Sequence, residues 1–509
     1  MIFRSSLSAW LGCGAVAAVL AAGCLQHGQA LLNHDVSWLM IAAGRMLAGG
    51  GYLRDFFEVN LPLAIAAYAP AFLLARDGHL PWQAAVTVCG AVLALLAALL
   101  SAWVVEGSAA RRSWLAAGLL AGLLLLPGYD FLQKEHLLVL LGLPFVFAAA
   151  RAPEEAAPGR PLRLCLSLLA ALGFFLKPHY APLPFLLLAL RAARTRSWAP
   201  LRSLETRTLL LAGTAYAAVV LCFYPEWLVC ARWAMDLYVA YQGENLRHLF
   251  KVDGLMPGLA GLALELLLYW RMPALRRPLE PLLACALYAL AAYLLQFKGW
   301  DYQFLPVLLF THCGLVLALG LAWPAAGGVS AALLAPALGL LLMGAAAFDA
   351  ARRMPGPAAL ETLPQVLAAA RPGDAVYVFS FELPPFLPAV PLSGLRWGSR
   401  YPHLWPLVRL ARAETGGGDP ELARLERLYR RPLVEAITED LRRYRAKLVI
   451  VDRRPVQSLP PDYDIAAALA ADPVFATAWK DYERIGQVAS GGRPEFDIYW
   501  KTGAADAAQ

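Results

Sequence analysis

Three acids stand near the start of the chain: Asp35, Asp55 and Glu58. They bracket a short amphipathic run, residues 37–47, that closes on Gly49, Gly50 and Gly51. A carboxylate at a membrane surface can serve as general base on an acceptor hydroxyl. That role needs only hydrogen-bonding reach, so spacing along the chain does not diagnose it. The glycines permit a tight return that would bring the two acidic groups together. The plain alternative is a set of solvated loop acids.

Three more polar stretches interrupt apolar runs. The first, residues 128–136, holds Tyr129, Asp130, Gln133, Lys134, Glu135 and His136. Polar side chains this close to a bilayer are costly unless they meet water or a ligand. The second is Lys177-Pro178-His179-Tyr180. A lysine there can hold a phosphate as a point charge, or it can simply snorkel. The third, residues 296–303, offers Lys298, Asp301 and Tyr302, with a Lys298–Asp301 pair as the plain alternative. Glu265 and His312, inside apolar runs, are candidates for buried polar contacts.

What must position these groups is a membrane scaffold. Of 509 residues, 59% are apolar or aromatic and 16% charged, and mean hydropathy is +0.53. That balance excludes an ordinary soluble protein. The net charge of +7 is no sign of nucleic acid, because the arginines sit largely in short loops, where they set orientation. The eight cysteines end at Cys313 and form no CxxC pair. Neither a disulfide framework nor a zinc site follows. Leu20 to Cys24 looks like a lipoprotein cleavage site, but the long apolar run reads as a retained first span.

Eleven apolar runs are expected to span, near residues 7–26, 82–105, 114–127, 137–150, 162–176, 181–190, 208–224, 255–270, 281–296, 304–321 and 329–348. Residues 61–75 are apolar as well. Laid along the surface as a juxtamembrane helix, they leave loops 106–113, 151–163, 191–207 and 271–280 on the cytoplasmic side. Those loops carry only arginine as their basic residue. All four lysines before residue 349, Lys134, Lys177, Lys251 and Lys298, then share the opposite face with the acids. The expected architecture is a polytopic α-helical membrane domain, residues 1–348, and a soluble α/β domain, residues 349–509, outside the cytoplasm. Strands are expected at 375–380, 447–452 and 496–500, with a helix over 421–444. Gly416-Gly417-Gly418 reads as a loop, and no nucleotide fingerprint or internal repeat appears.

The order of features resembles the GT-C superfamily of membrane glycosyltransferases, in the branch of protein O-mannosyltransferases and the lipid A aminoarabinose transferase. Asp35 matches the acid after the first span. Glu58-Val59-Asn60-Leu61-Pro62-Leu63 is similar to the acid-x-x-P-P-L motif, with Leu61 in place of the first proline. Asp130 falls where the family has an acid at the outer end of a later span. The resemblance covers the first half of the membrane part and the general plan.

It implies inverting transfer of a sugar from a polyprenyl-phosphate donor to a lipid, glycan or protein acceptor, at the outer face of a bacterial cytoplasmic membrane. Asp35 would be the base, helped by Asp55 or Glu58. Lys134, Lys177 and Lys298 would hold the lipid phosphate as charge builds on it. Tyr129, Asp130, Gln133, Glu135, His136, His179, Tyr180, Asp301 and Tyr302 would line the substrates. No cofactor is named, and a divalent metal is left open. The rival class is a transporter or flippase, against which stand the one-sided polar groups and the missing repeat.

Overall fold

The computed structural model describes residues 2–105, 107–151, 158–238, 246–322, 331–360, 363–415, 420–455, 459–460, 463–490 and 493–502. The glycine run at 416–418 lies outside these residues.

Every run expected to span is a helix. In chain order the helices are α1 (Ile2–Gln29), α2 (His34–Leu47), α3 (Pro62–Ala66), α4 (Ala69–Arg76), α5 (Trp82–Val105), α6 (Ala109–Leu125), α7 (Lys134–Ala150), α8 (Arg160–Phe174), α9 (Leu183–Thr195), α10 (Leu204–Phe223), α11 (Trp227–Leu237), α12 (Leu255–Arg271), α13 (Pro273–Gln296), α14 (Asp301–Ala322) and α15 (Ala331–Arg353). Among the described residues six, α1, α5, α10, α13, α14 and α15, are long and apolar enough to cross a membrane. The chain is an integral membrane protein. Residues 61–75 do not form one rod: α3 and α4 are separate, with Pro62 and Pro70 in their first turns. The last apolar helix runs to Arg353, past the boundary expected at 348.

Lipid tails give no hydrophobic push between helices, so close contact depends on small residues. α1 packs on α6 and α6 on α14. At Gly122 of α6 a Cβ would collide with the His312 ring of α14, 2.2 Å away. His312 Nε2 lies 2.9 Å from the Gly118 carbonyl, which satisfies it. Glu265 of α12 is fully buried over Gly314, and neither carboxylate oxygen finds a hydrogen-bond partner among the described residues.

The C-terminal domain holds α16 (Leu363–Leu367), β1 (Ala375–Phe379), α17 (Phe386–Leu392), β2 (Arg396–Trp397), α18 (Trp405–Thr415), α19 (Pro420–Tyr444), β3 (Leu448–Asp452), α20 (Ile465–Ala470), α21 (Pro473–Trp479), β4 (Tyr482–Ser490) and β5 (Arg493–Lys501). The sheet order is β2-β1-β3-β5-β4. β2, β1 and β3 run parallel, and β3–β5 and β5–β4 antiparallel. β1 and β3 are buried at every position, the continuous apolar run of a strand covered on both faces. β2 is too short and β4 too polar for their pattern to announce them.

The C-terminal part of the chain meets the helical part at α2, and at α11 through α18. At the C-terminal end of α2 Arg45 donates to the carbonyls of Asp55 (2.7 Å), Ser399 (2.7 Å) and Trp397 (2.5 Å). Phe57 N–H donates to Arg400 O at 2.7 Å, and Arg400 Nη1 to Leu53 O at 2.9 Å. Behind this contact Arg400 donates through its backbone N–H and Nε to the fully buried Asp440 of α19, at 2.8 and 2.9 Å.

Candidate active site

The N-terminus of α2 builds the centre of the site. Asn33 caps the helix, accepting from the N–H groups of Asp35 (2.9 Å) and Val36 (3.2 Å). An Asn cap satisfies end donors that would otherwise have no partner. It also sets Asp35 in the first turn, where the helix dipole favours a carboxylate. Asn33 is itself anchored, donating to Tyr129 O at 3.0 Å and accepting from Gln133 Nε2 at 3.0 Å. The Tyr129 hydroxyl lies 3.0 Å from His34 Nδ1 and accepts from His34 N–H at 3.2 Å.

Asp35 faces the start of α7. Gln133 Nε2 donates to its Oδ2 at 3.1 Å, and Lys134 Nζ lies 3.7 Å from the same oxygen. His34 Nε2 stands 4.0 Å from the other oxygen. Burial pushes the Asp35 carboxyl up, but Lys134, His34 and Gln133 together outweigh it and hold the group down at about 2. Asp35 is therefore ionised at neutral pH.

The lysines are not equivalent. Lys177 pairs with the buried Glu135 at 2.7 Å. The ammonium groups of Lys134 and Lys177 lie 5.9 and 5.6 Å from the Tyr302 ring centre. Lys298 pairs with no carboxylate among the described residues. It sits 4.0 Å from the centre of Tyr238 and 4.6 Å from that of Trp300. Desolvation, and then Lys177, pushes it down to about 8. Asp301, its expected partner, instead accepts from the Asp253 N–H at 2.7 Å. Asp130 is driven the other way. Burial, with Asp301, Glu135, Asp35 and Asp253 around it, raises its carboxyl well above the usual range.

Other expected site residues have partners of their own. Asp55 is at the far end of α2, beside Arg45 and roughly 15 Å along the helix from Asp35 at 1.5 Å per residue. It accepts from Gly51 N–H at 2.9 Å and pairs with Arg443 of α19. The glycine turn therefore aims Asp55 at the C-terminal domain and does not bring it back to Asp35. Glu58 is buried, and both its oxygens are taken: Trp38 Nε1 donates at 2.5 Å, and Asn60 donates through N–H (2.8 Å) and Nδ2 (2.6 Å). His136 is fully buried, with Nδ1 accepting from Leu132 N–H at 3.0 Å and its ring against Phe131. Tyr180 is buried against Tyr288, whose hydroxyl donates to the His179 carbonyl at 2.6 Å. No group of three or more His, Cys, Asp or Glu side chains among the described residues is set to hold a metal.

No family model matches the chain, and no curated protein matches it. Solved structures do. The crystal structure of ArnT from Cupriavidus metallidurans bound to undecaprenyl phosphate superposes with a TM-score of 0.50 at 14% identity, over 95% of this chain and 97% of that one. The apo structure of ArnT from the same organism gives 0.52 at 15%, over 97% and 98%. The chain has the ArnT fold. The match covers nearly the whole of both chains.

Within this fold the site draws on residues that motif reading passed over. Asn33 and His34 adjoin Asp35 in sequence, and an Asn before an apolar-periodic run is a legible cap. Trp300 lies within the polar stretch 296–303, while Tyr238 lies outside every polar stretch singled out in the sequence. The loop 398–405 of the C-terminal domain carried no signal, because its proximity is long-range in sequence.

Proposed function

We propose that this protein is a membrane glycosyltransferase of the GT-C type. It moves a sugar from a polyprenyl-phosphate donor to an acceptor hydroxyl at the outer face of the bacterial cytoplasmic membrane, with inversion. The observation that carries the reading is an ionised carboxylate, Asp35, paired with Lys134, which shares the Tyr302 ring with Lys177, next to the Trp300 ring that holds Lys298, a lysine with no acidic partner among the described residues. The fold supports it, since ArnT has been crystallised with undecaprenyl phosphate.

In this mechanism the acceptor oxygen bonds to the anomeric carbon as the bond from that carbon to the phosphate oxygen breaks. The acceptor proton passes to Asp35, and the negative charge leaves on the polyprenyl phosphate. Lys298, with Lys177 behind it, meets that charge as it develops. Held near 2, Asp35 is a weak base in the resting site. It becomes useful late, when the acceptor oxygen has lost electron density to the sugar. Lys134 can then turn from Asp35 toward the phosphate, which strengthens the base at the moment of need.

Undecaprenyl phosphate binding to the purified protein tests the phosphate site. Lys298→Ala should weaken it by about 10–100-fold, the value of one charge-assisted hydrogen bond. Arg194→Ala, on the opposite face and paired with Glu280, should leave it alone. Because Lys298 is held at about 8, its protonated form is the binding form. Parental affinity should hold below pH 8 and fall above it, and Lys298→Ala should flatten that fall. A parental affinity in Lys298→Ala moves the phosphate elsewhere. Sugar transfer in detergent, without a sealed bilayer, separates a transferase from a transporter. Orientation is tested by reporter fusions at Arg196 and after Arg353. The first should report cytoplasm and the second the outside, and a cytoplasmic C-terminal domain overturns the outer-face assignment.

A further inference from the structure

The far end of α7 carries a second polar feature. The helix starts at Lys134, and Ala149 lies roughly 22 Å along it at 1.5 Å per residue, at the opposite end of the bundle from Asp35. There α7, α8 and α9 leave a cavity of about 120 Å³, several times the roughly 30 Å³ that one water takes in the liquid. Phe145, Ala148, Leu166, Leu187 and Leu188 make its apolar walls. Arg151, Arg163, Arg191 and Glu205 supply its charged lining.

These four charges are not equally committed. Arg163 forks onto Glu205, Nε to Oε1 at 2.7 Å and Nη2 to Oε2 at 2.6 Å. The fork ties α8 to the start of α10 and cancels one charge of each sign. Arg151 donates to the Val104 carbonyl. Arg194, one turn beyond Arg191, pairs with Glu280 at 2.9 Å and donates to Ala149 O at 3.3 Å. The half-buried Arg191 guanidinium has neither an ion-pair nor a hydrogen-bond partner among the described residues. It follows Leu187 by one turn, on the face of α9 that walls the cavity. Setting orientation needs only positive charge in a loop; it does not need a guanidinium against an apolar cavity. We propose that this cavity holds the phosphate of an anionic phospholipid in the leaflet opposite Asp35, with Arg191 as its principal ligand. The inference does not depend on the transferase reading.

A guanidinium meets two phosphate oxygens with parallel N–H groups, and basic pockets between membrane helices take lipid head groups. The surroundings favour a lipid over a free anion. Apolar walls give an inorganic phosphate nothing in exchange for its water, whereas a glycerol ester brings apolar surface of its own. α8 and α10 flank the cavity and turn Leu164, Leu168, Leu210 and Leu211 outward, a surface for acyl chains. With Arg163 and Glu205 cancelled, the remaining charged lining, Arg151 and Arg191, is cationic. A head group of net negative charge therefore fits better than a zwitterionic one, which carries its own ammonium.

The test is native mass spectrometry of the full chain in detergent, titrated with phosphatidylglycerol or phosphatidylcholine. Phosphatidylglycerol should bind more tightly. Arg191→Ala should weaken it about tenfold, the value of one charge-assisted hydrogen bond. Ala148→Leu, which fills the cavity and leaves every charge in place, should weaken it as well. Arg207→Ala removes an exposed arginine two residues from Glu205, on the other side of α10, and should leave binding unchanged. A parental affinity in Arg191→Ala or in Ala148→Leu overturns the proposal. So does an Arg207→Ala that loses as much as Arg191→Ala, the mark of diffuse surface charge. Displacement of phosphatidylglycerol by inorganic phosphate makes the cavity a free-anion site and removes the lipid. Glu154 and Glu155 stand between Arg151 and Pro158 in the sequence, outside the described residues. If Glu154→Gln with Glu155→Gln raises the affinity as much as Arg191→Ala lowers it, those acids are the occupant and the lipid assignment falls.

Discussion

Asp35→Asn should lower sugar transfer by about 10²–10⁴-fold, the usual cost of losing a positioned base. The substitution keeps the side-chain shape, and Asn33 still caps α2. It also removes a negative charge 3.7 Å from Lys134, which frees that lysine for the donor. Undecaprenyl phosphate should therefore bind at least as tightly as to the parent. This split, transfer lost and donor binding kept or improved, is what separates a base from a structural residue. Asp35→Glu keeps the charge and shifts it by one methylene, so its rate should fall between the two. An Asp35→Asn protein that transfers sugar at the parental rate removes the assignment. Asp55→Asn is the contrasting case. It breaks a contact with Arg443 far from the reacting atoms, and its effect should appear in stability before rate.

The second large effect is expected at Asp440→Ala. Asp440 is fully buried, and Arg400 is 6% exposed. Asp440→Ala removes the two hydrogen bonds that Asp440 accepts from Arg400 and leaves the guanidinium only the exposed Glu439, at 2.6 Å, a cost of about 1.5–3 kcal/mol. For a domain of this size that is a fall in melting temperature of roughly 3–12 °C. Thermal unfolding of the full chain, followed by tryptophan fluorescence, reads it directly. The consequence extends beyond stability, because Arg400 also holds Leu53 O and its own carbonyl receives Phe57 N–H. The loop 398–405 should loosen, and transfer should fall although Asp440 touches no reacting atom. An unchanged melting temperature would mean that the pair does not hold the junction.

These two predictions draw on different kinds of information. Asp35 was visible from its place after the first apolar run. The helices were visible because a bilayer demands long apolar runs and closed backbone hydrogen bonding. β1 and β3 were visible as buried apolar runs. All of these are local patterns, set by the solvent around each segment. The division of labour among the acids was not local. Asp55 and Glu58 look alike in sequence, yet one meets Arg443 and the other Trp38 and Asn60. Which partner a carboxylate finds depends on segments hundreds of residues away. The same holds for the lysines: Lys134 and Lys177 are met by acids, while Lys298 is met by two aromatic rings. Composition and periodicity can choose a fold and name a few candidates, but which charges are paired and which remain available is a property of the assembled chain.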